Sequence, residues 1–141
     1  MAKFITPEDY DASIHQEILD ALIRSDRQII EICEDRAIAE MRGYLSARYD
    51  CERVFAAESD ARNQLVLMMA IDIAIYHIFS IHNPRNISKI RTDRYERAVE
   101  WLEGVRKGNI TVDGLPEVGQ AEKDAAAQFQ IRSNPKRNNR F

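Results

Sequence analysis

The side chains best suited to metal binding or acid–base chemistry in this chain of 141 residues are three histidines and two cysteines. His77 and His82 are five residues apart, which places them on different faces of a helix, and His15 is remote from both. Cys33 and Cys51 form no CxxC or other ligand spacing, so free thiols are expected. The spacings therefore predict no metal site.

Motifs for catalysis and for phosphate binding are missing from the sequence as well. It contains no glycine-rich phosphate loop and no GxSxG motif, and neither cysteine has a recognisable activating partner. We therefore expect that the protein is not an enzyme and that it has no catalytic residues and no cofactor.

Asp72 is the one carboxylate with an unusual sequence environment, because it lies inside an otherwise apolar run. A buried charge must be paired or neutralised. Arg94 and Arg97, near the start of the next helical segment, are candidate partners in an antiparallel hairpin, and Arg48 is another. An acid–base role is the alternative to a structural ion pair, which is the favoured interpretation.

The elements that position these groups are predicted to be helices, because apolar residues recur at helical spacing up to Gly108. A short helix begins at Thr6-Pro7, and an amphipathic helix follows from about residue 13. Longer helices are predicted over 26–49, 61–82 and 87–107, with a connecting loop over 50–60. The expected fold class is all-α, a bundle of three to four long helices.

Three positions in these helices carry packing hypotheses. Gly43 costs roughly 1 kcal/mol relative to alanine inside a helix, so close packing against a neighbour is expected there. Ile90 is assigned to the inner face of helix 87–107. Trp101 is interpreted either as core edge or, if it is partly exposed, as an anchor of a subunit interface.

Segment 61–82 is apolar on nearly every side, as in a central or shared helix, and its apolar part is too short for a membrane span.

The sequence changes character after Gly108, where glycine and proline interrupt it repeatedly before the basic run IRSNPKRNNRF. We therefore divide the chain into a helical body, 1–108, and an extended C-terminal arm, 109–141. The net charge of −3 argues against general affinity for nucleic acid. Residues 132–141 nevertheless carry four basic residues and no acid, whereas residues 109–124 carry four acids and one lysine.

The basic end of the arm could be a solvated tail, or it could contact DNA phosphates or an acidic protein surface. Apolar side chains are interleaved with its charges, which favours docking into pockets of a partner. The residues expected to bind a partner are Phe129, Ile131, Arg132, Asn134, Pro135, Lys136, Arg137 and Phe141.

Four segments of the chain resemble a known family of phage proteins. They are GYLSARYD (43–50), MMAIDIAIYHIF (68–79), RYERAVEWLEGVRKGNI (94–110) and SNPKR (133–137). They are similar to the Mu-like phage gp36 family, a group of small bacteriophage proteins regarded as head–tail connectors or head-completion adaptors. The resemblance covers most of the chain and identifies kinship better than mechanism.

The resemblance implies a helical adaptor whose copies form a ring in the neck of the virion. The expected partners are the portal protein, the tail or next neck-ring protein and further copies of the chain, with DNA passing through the lumen without sequence-specific binding. A head-to-tail interface that closes by rotation gives such a ring, of roughly twelve copies to match a portal. No membrane partner is expected, and synthesis in the bacterial host cytoplasm is implied.

A small DNA-binding phage regulator that uses the basic C-terminal tail is the alternative. It would bind DNA with an affinity that falls steeply with salt. Because the body offers no recognition helix rich in arginine, lysine or asparagine, the structural connector is favoured.

Overall fold

The computed structural model describes residues 4–14, 27–82 and 84–118. Four α-helices lie in these ranges: α1 (Arg27–Leu45), α2 (Cys51–Ala56), α3 (Gln64–His82) and α4 (Lys89–Arg106). Short 3-10 helices span Pro7–Ala12, Ser59–Ala61 and Pro84–Asn86. The all-α fold class is therefore confirmed, with three long helices in the described part of the chain.

The three long helices form a bundle in which α3 packs against both α1 and α4. Glu40 on α1 binds His77 on α3 and Tyr95 on α4, with oxygen distances of 3.1 Å and 3.0 Å respectively. Beyond the end of α1, Arg48 reaches the carbonyl oxygen of Val105 near the end of α4. Helices α1 and α4 therefore run in the same direction, and α3 runs antiparallel to them.

Helix α3 supplies the largest share of the core. Its sequence is apolar almost all round, and most of its middle residues are buried between the other two helices. Burying each large aliphatic side chain stabilises the fold by about 1.5–3 kcal/mol. By length and composition α3 could cross a membrane, contrary to our expectation that it is too short, but more than half of it is buried inside the bundle. It is the core helix that we predicted.

The helices begin next to polar residues whose side chains accept hydrogen bonds from backbone amides that have no partner within the helix. Thr6 and Asp9 form a capping box at the opening 3-10 helix, and the Ser88 hydroxyl accepts from the Arg91 amide at the start of α4. The Asp50 side chain likewise accepts a hydrogen bond from the Arg53 amide and caps the start of α2. This helix occupies part of 50–60, which we predicted to be a loop.

Helix α4 ends at Arg106, and Gly108, two residues later, has a φ of +84° in the left-handed region that favours glycine. The amides of Gly108 and Asn109 donate to the carbonyls of Val105 and Gly104, which closes the helix end. Ile110 then folds back over the helix. A Cβ atom added to Gly104 would lie 2.5 Å from Ile110 Cδ1, so only glycine allows this approach.

Residues 110–118, which we call the C-terminal segment, pack against the bundle. Tyr49 Oη accepts from the Val112 amide at 3.0 Å, and Arg48 Nη1 donates to the Ile110 carbonyl at 2.9 Å. Val112 and Leu115 are buried. The boundary that we placed at residue 108 is therefore wrong for this segment, because its apolar side chains complete the core. Residues 119–141 of the expected arm lie outside the described residues.

Candidate assembly surface

An ion pair joins α3 to α4 at the position that the sequence singled out. Arg97 Nη2 lies 2.7 Å from Asp72 Oδ2; the Asp72 side chain is 2% exposed and that of Arg97 is 52% exposed. The positively charged guanidinium of Arg97 is thus partly exposed and at the same time pairs with a carboxylate that is buried in the core. Of the other candidate partners, Arg94 donates to the Ser13 carbonyl and Arg48 to backbone carbonyls at the end of α4.

One helical turn further along, two aromatic rings fix the same pair of helices. The rings of Tyr76 and Tyr95 stack with their centroids 4.1 Å apart. Burial, together with the hydrogen bond and negative charge of Glu40, raises the pKa of Tyr95 to about 12. The Tyr95 hydroxyl therefore stays protonated and continues to donate to Glu40 throughout the neutral range.

The two contacts set the register of the antiparallel pair, and this register continues toward the start of α3. Met68 precedes Asp72 by four residues and Trp101 follows Arg97 by four, so both lie one turn beyond the ion pair. Leu65 lies on the same face of α3 as Met68. The register therefore places these three side chains, which we call the α3–α4 patch, on neighbouring parts of one surface.

The α3–α4 patch is apolar and partly open to solvent. Leu65 and Met68 are each 39% exposed, and Trp101 is half-buried with one side packed against the core. Both interpretations of Trp101 thus have support in its burial, since it forms the edge of the core and also offers part of its surface. Large aromatic residues at the centre of an apolar surface are typical anchors of protein interfaces.

Further exposed apolar side chains lie elsewhere, on α1 and near the turn from α3 to α4. These are Ile32, Ile81 and Ile90, and Ile90 is 61% exposed. Our assignment of Ile90 to the inner face of α4 is wrong. It precedes the buried Ala98 by eight residues, which rotates it by about 80° around the helix axis.

The comparison with protein families decides the kinship of the chain. The model of the family described as bacteriophage Mu, Gp36 matches residues 4–131, which is most of the sequence. The chain belongs to the bacteriophage Mu Gp36 family. This membership makes it a bacteriophage protein and points to a role associated with the virion. Neither the curated proteins nor the solved structures contain a match.

Several titratable groups of this Gp36-family chain join the helices in the described part, among them Asp72, Glu40 and Tyr95. Both cysteines are buried and free, as expected, and burial raises the pKa of each thiol. No cluster of three potential metal ligands is present in residues 4–14, 27–82 and 84–118. His15 lies outside these ranges.

A second buried acid, Glu34, accepts a hydrogen bond from Tyr10 Oη at 2.6 Å. Sequence reasoning missed Glu34, because it is one of several charged residues in a mixed helical stretch and only its rotation on α1 turns it inward. Burial is the largest cause that raises the pKa of Tyr10, and the negative charge of Glu34 and the hydrogen bond to it raise this pKa further. This contact ties the opening 3-10 helix to α1.

The predicted partner-binding residues of the Gp36-family arm, with the exception of Trp101, lie outside the described residues. These are Phe129, Ile131, Arg132, Asn134, Pro135, Lys136, Arg137 and Phe141. Trp101 alone of the predicted set has a described environment, and its neighbours Leu65 and Met68 were not predicted to form a surface. Their exposure depends on the helix register, which the sequence pattern alone did not provide.

Proposed function

We propose that this Gp36-family protein is a structural head–tail connector that acts in the neck of the virion. In this function its copies form a ring between the portal and the tail, and DNA passes through the ring. The α3–α4 patch is the observation that carries the proposal. A bundle of this size has buried its core, and yet its most apolar helix still presents Leu65 and Met68 to solvent beside Trp101.

The position of the α3–α4 patch suits a contact between copies. It lies on rigid helices whose register is fixed next to it by the Asp72–Arg97 pair, so its shape requires little ordering on binding. Because every copy carries the same patch, a partner surface elsewhere on the next copy gives a head-to-tail contact, and such contacts close into a ring when the rotation permits.

The charge of the body is compatible with a conduit for DNA. Residues 1–107 contain 19 acidic and 15 basic residues, so the body has a net negative charge that would repel DNA phosphates. A ring with this charge would allow DNA to slide without holding it. The four basic residues within 132–141 would instead favour an acidic protein surface in the assembled neck.

Electron microscopy of the protein mixed with the portal of its own phage tests this proposal. We expect a ring attached to one end of the portal, and we expect deletion of residues 120–141 to preserve the helical circular dichroism while abolishing attachment. A full-length protein that never associates with the portal would contradict the connector function. A truncated protein that attaches normally would contradict the role of the arm.

A further inference from the structure

A cleft of about 550 Å³ opens between the loop that follows α2 and the C-terminal segment 110–118. Val54 and Leu115, which are buried residues of the core, and Pro116 give it an apolar wall. Ala57 and Ala61, which have short side chains, also line the cleft. The cleft is wide enough to accept a large apolar or aromatic side chain from another segment.

Acidic residues flank this cleft along the chain. Glu58, Asp60 and Asp113 are exposed, and each is the chain neighbour of a residue that lines the cleft. Their carboxylates make no hydrogen bond or ion pair within the described ranges of the chain. Of the two arginines that line the cleft, Arg62 is neutralised by a carboxylate of the opening 3-10 helix, whereas Arg53 has no such partner in the described part. Three carboxylates and one arginine without a carboxylate partner therefore lie near the cleft, so the net charge of its rim is negative.

We propose that this cleft binds residues 129–141 of a second copy of the chain. That stretch combines apolar side chains with four positive charges and no negative one, which complements a cleft that has apolar residues in its lining and three acidic residues beside it. Its apolar members are Phe129, Ile131 and Phe141, and its basic members are Arg132, Lys136, Arg137 and Arg140. The inference deepens the proposed function, and it rests on the assembly of several copies.

The position of Val118, the last described residue, favours a neighbouring copy over the same copy. Val118 lies two residues after Pro116, which lines the cleft of the same copy. The next charged residues are Glu122, Lys123 and Asp124, with a net negative charge that the acidic rim of the same copy repels. Residues 119–128 can span at most about 35 Å when extended, which is sufficient to reach an adjacent small subunit.

Photo-crosslinking of the full-length protein tests the inference. The chain is made with photoreactive p-benzoylphenylalanine in place of Phe129, and is mixed with an unmodified chain labelled with ¹⁵N. After irradiation, mass spectrometry identifies the crosslinked peptides and shows whether they join two copies. We expect crosslinks between copies that end in residues 53–63 or 114–116.

Charge reversal at the rim supplies the matched comparison. The triple variant Glu58→Lys, Asp60→Lys and Asp113→Lys should reduce the yield of these crosslinks about fivefold or more, because three attractive charges become repulsive. The control Asp11→Lys, Asp35→Lys and Glu96→Lys changes the net charge equally at exposed sites away from the cleft and should leave the yield unchanged.

Other results would overturn the inference. Crosslinks confined to one copy, crosslinks to other surfaces, or an equal loss in the control would each show that the cleft does not bind this segment of a neighbour. A labelled DNA duplex that binds with steep salt dependence, in a protein without cleft crosslinks, would identify the basic end as a nucleic-acid contact. Sedimentation of the same samples separates the two proposals: an intact ring without cleft crosslinks refutes this inference alone, and a wild-type monomer refutes the ring.

Discussion

Arg97 on α4 holds the buried carboxylate of Asp72 on α3, with Nη2 and Oδ2 2.7 Å apart, although half of the arginine side chain is exposed to solvent. The pair lies one helical turn from Met68 and Trp101 and therefore connects the most buried charge of the bundle to its apolar surface. The stabilising ion pair and the proposed assembly surface therefore lie next to each other, and single substitutions can test them separately.

Replacing Asp72 with asparagine should lower stability and leave assembly unchanged. The variant Asp72→Asn keeps the shape of the side chain but removes the charge that Arg97 binds, and we expect a loss of about 1–3 kcal/mol with a lower melting temperature. Thermal unfolding and sedimentation together measure both effects. The control Asp93→Asn breaks an exposed pair with Lys89 and should change stability by less than about 0.5 kcal/mol. An unchanged melting temperature in Asp72→Asn would rule out the structural role of the pair.

The two helical glycines of α1 and α4 should respond to alanine in opposite directions. Our expectation of close packing at Gly43 is wrong, because this residue is exposed with no atom within 4 Å of an added Cβ. Gly43→Ala should therefore stabilise the protein by about 0.5–1 kcal/mol. In Gly104→Ala the new methyl group would meet the end of the Ile110 side chain, which must shift to make room, at a cost of about 1 kcal/mol. Urea unfolding of both variants gives the comparison, and destabilisation by Gly43→Ala would show that α1 packs against something at that position.

The contact between Asp9 in the opening 3-10 helix and Arg62 should stabilise the protein less as the pH falls. Arg62 holds Asp9 through two hydrogen bonds, Nη1 to Oδ2 at 2.5 Å and Nη2 to Oδ1 at 3.1 Å. Burial alone would raise the pKa of Asp9, but the bonds from Arg62 and Thr6 outweigh it and hold the pKa below its ordinary value of 3.8. The pair therefore stabilises the fold above pH 3.8, and this contribution is lost as the pH falls through the lower pKa of the folded state.

The variant Asp9→Asn checks this sign. It should be less stable than the wild type by about 1–2 kcal/mol near neutral pH, and the difference should shrink as the pH falls below 3.8. Denaturant midpoints of the two proteins across this pH range measure the change. A difference that remains constant, or that grows in acid, would mean that the carboxylate of Asp9 does not contribute through its charge.

The sequence was sufficient to predict the helices, because their apolar residues recur with the period of an α-helix. The ion pair of Asp72 was also predictable in kind, since a carboxylate in a core helix requires a cation. The choice of Arg97 over Arg94 was not predictable, because three residues correspond to nearly one turn and both arginines could face α3. Their rotation on α4 separates them: Arg94 donates to the Ser13 carbonyl instead.

The C-terminal segment shows where pattern reasoning is insufficient. Its glycine and proline residues are typical of a chain that leaves the body, and we interpreted them so. Val112 and Leu115 are buried through contacts with distant parts of the chain, which a local pattern does not reveal. Arg48 donates hydrogen bonds to the carbonyls of Val105 and Ile110, on both sides of the turn after α4, and Tyr49 Oη accepts one from the Val112 amide. Arg48 itself falls inside the helix predicted over 26–49, but it lies in the turn after α1.

Sedimentation velocity on the wild type and on Met68→Glu is the most direct test of the claim that the α3–α4 patch joins copies of the chain into a ring. We predict that the wild type sediments as a closed oligomer and that Met68→Glu sediments as a monomer with unchanged helical circular dichroism, because a charge cannot be buried unpaired in an interface. The control Ile32→Glu, at a residue that is similarly exposed on α1, should remain a ring. A monomeric wild type, or equal dissociation of both variants, would contradict the claim.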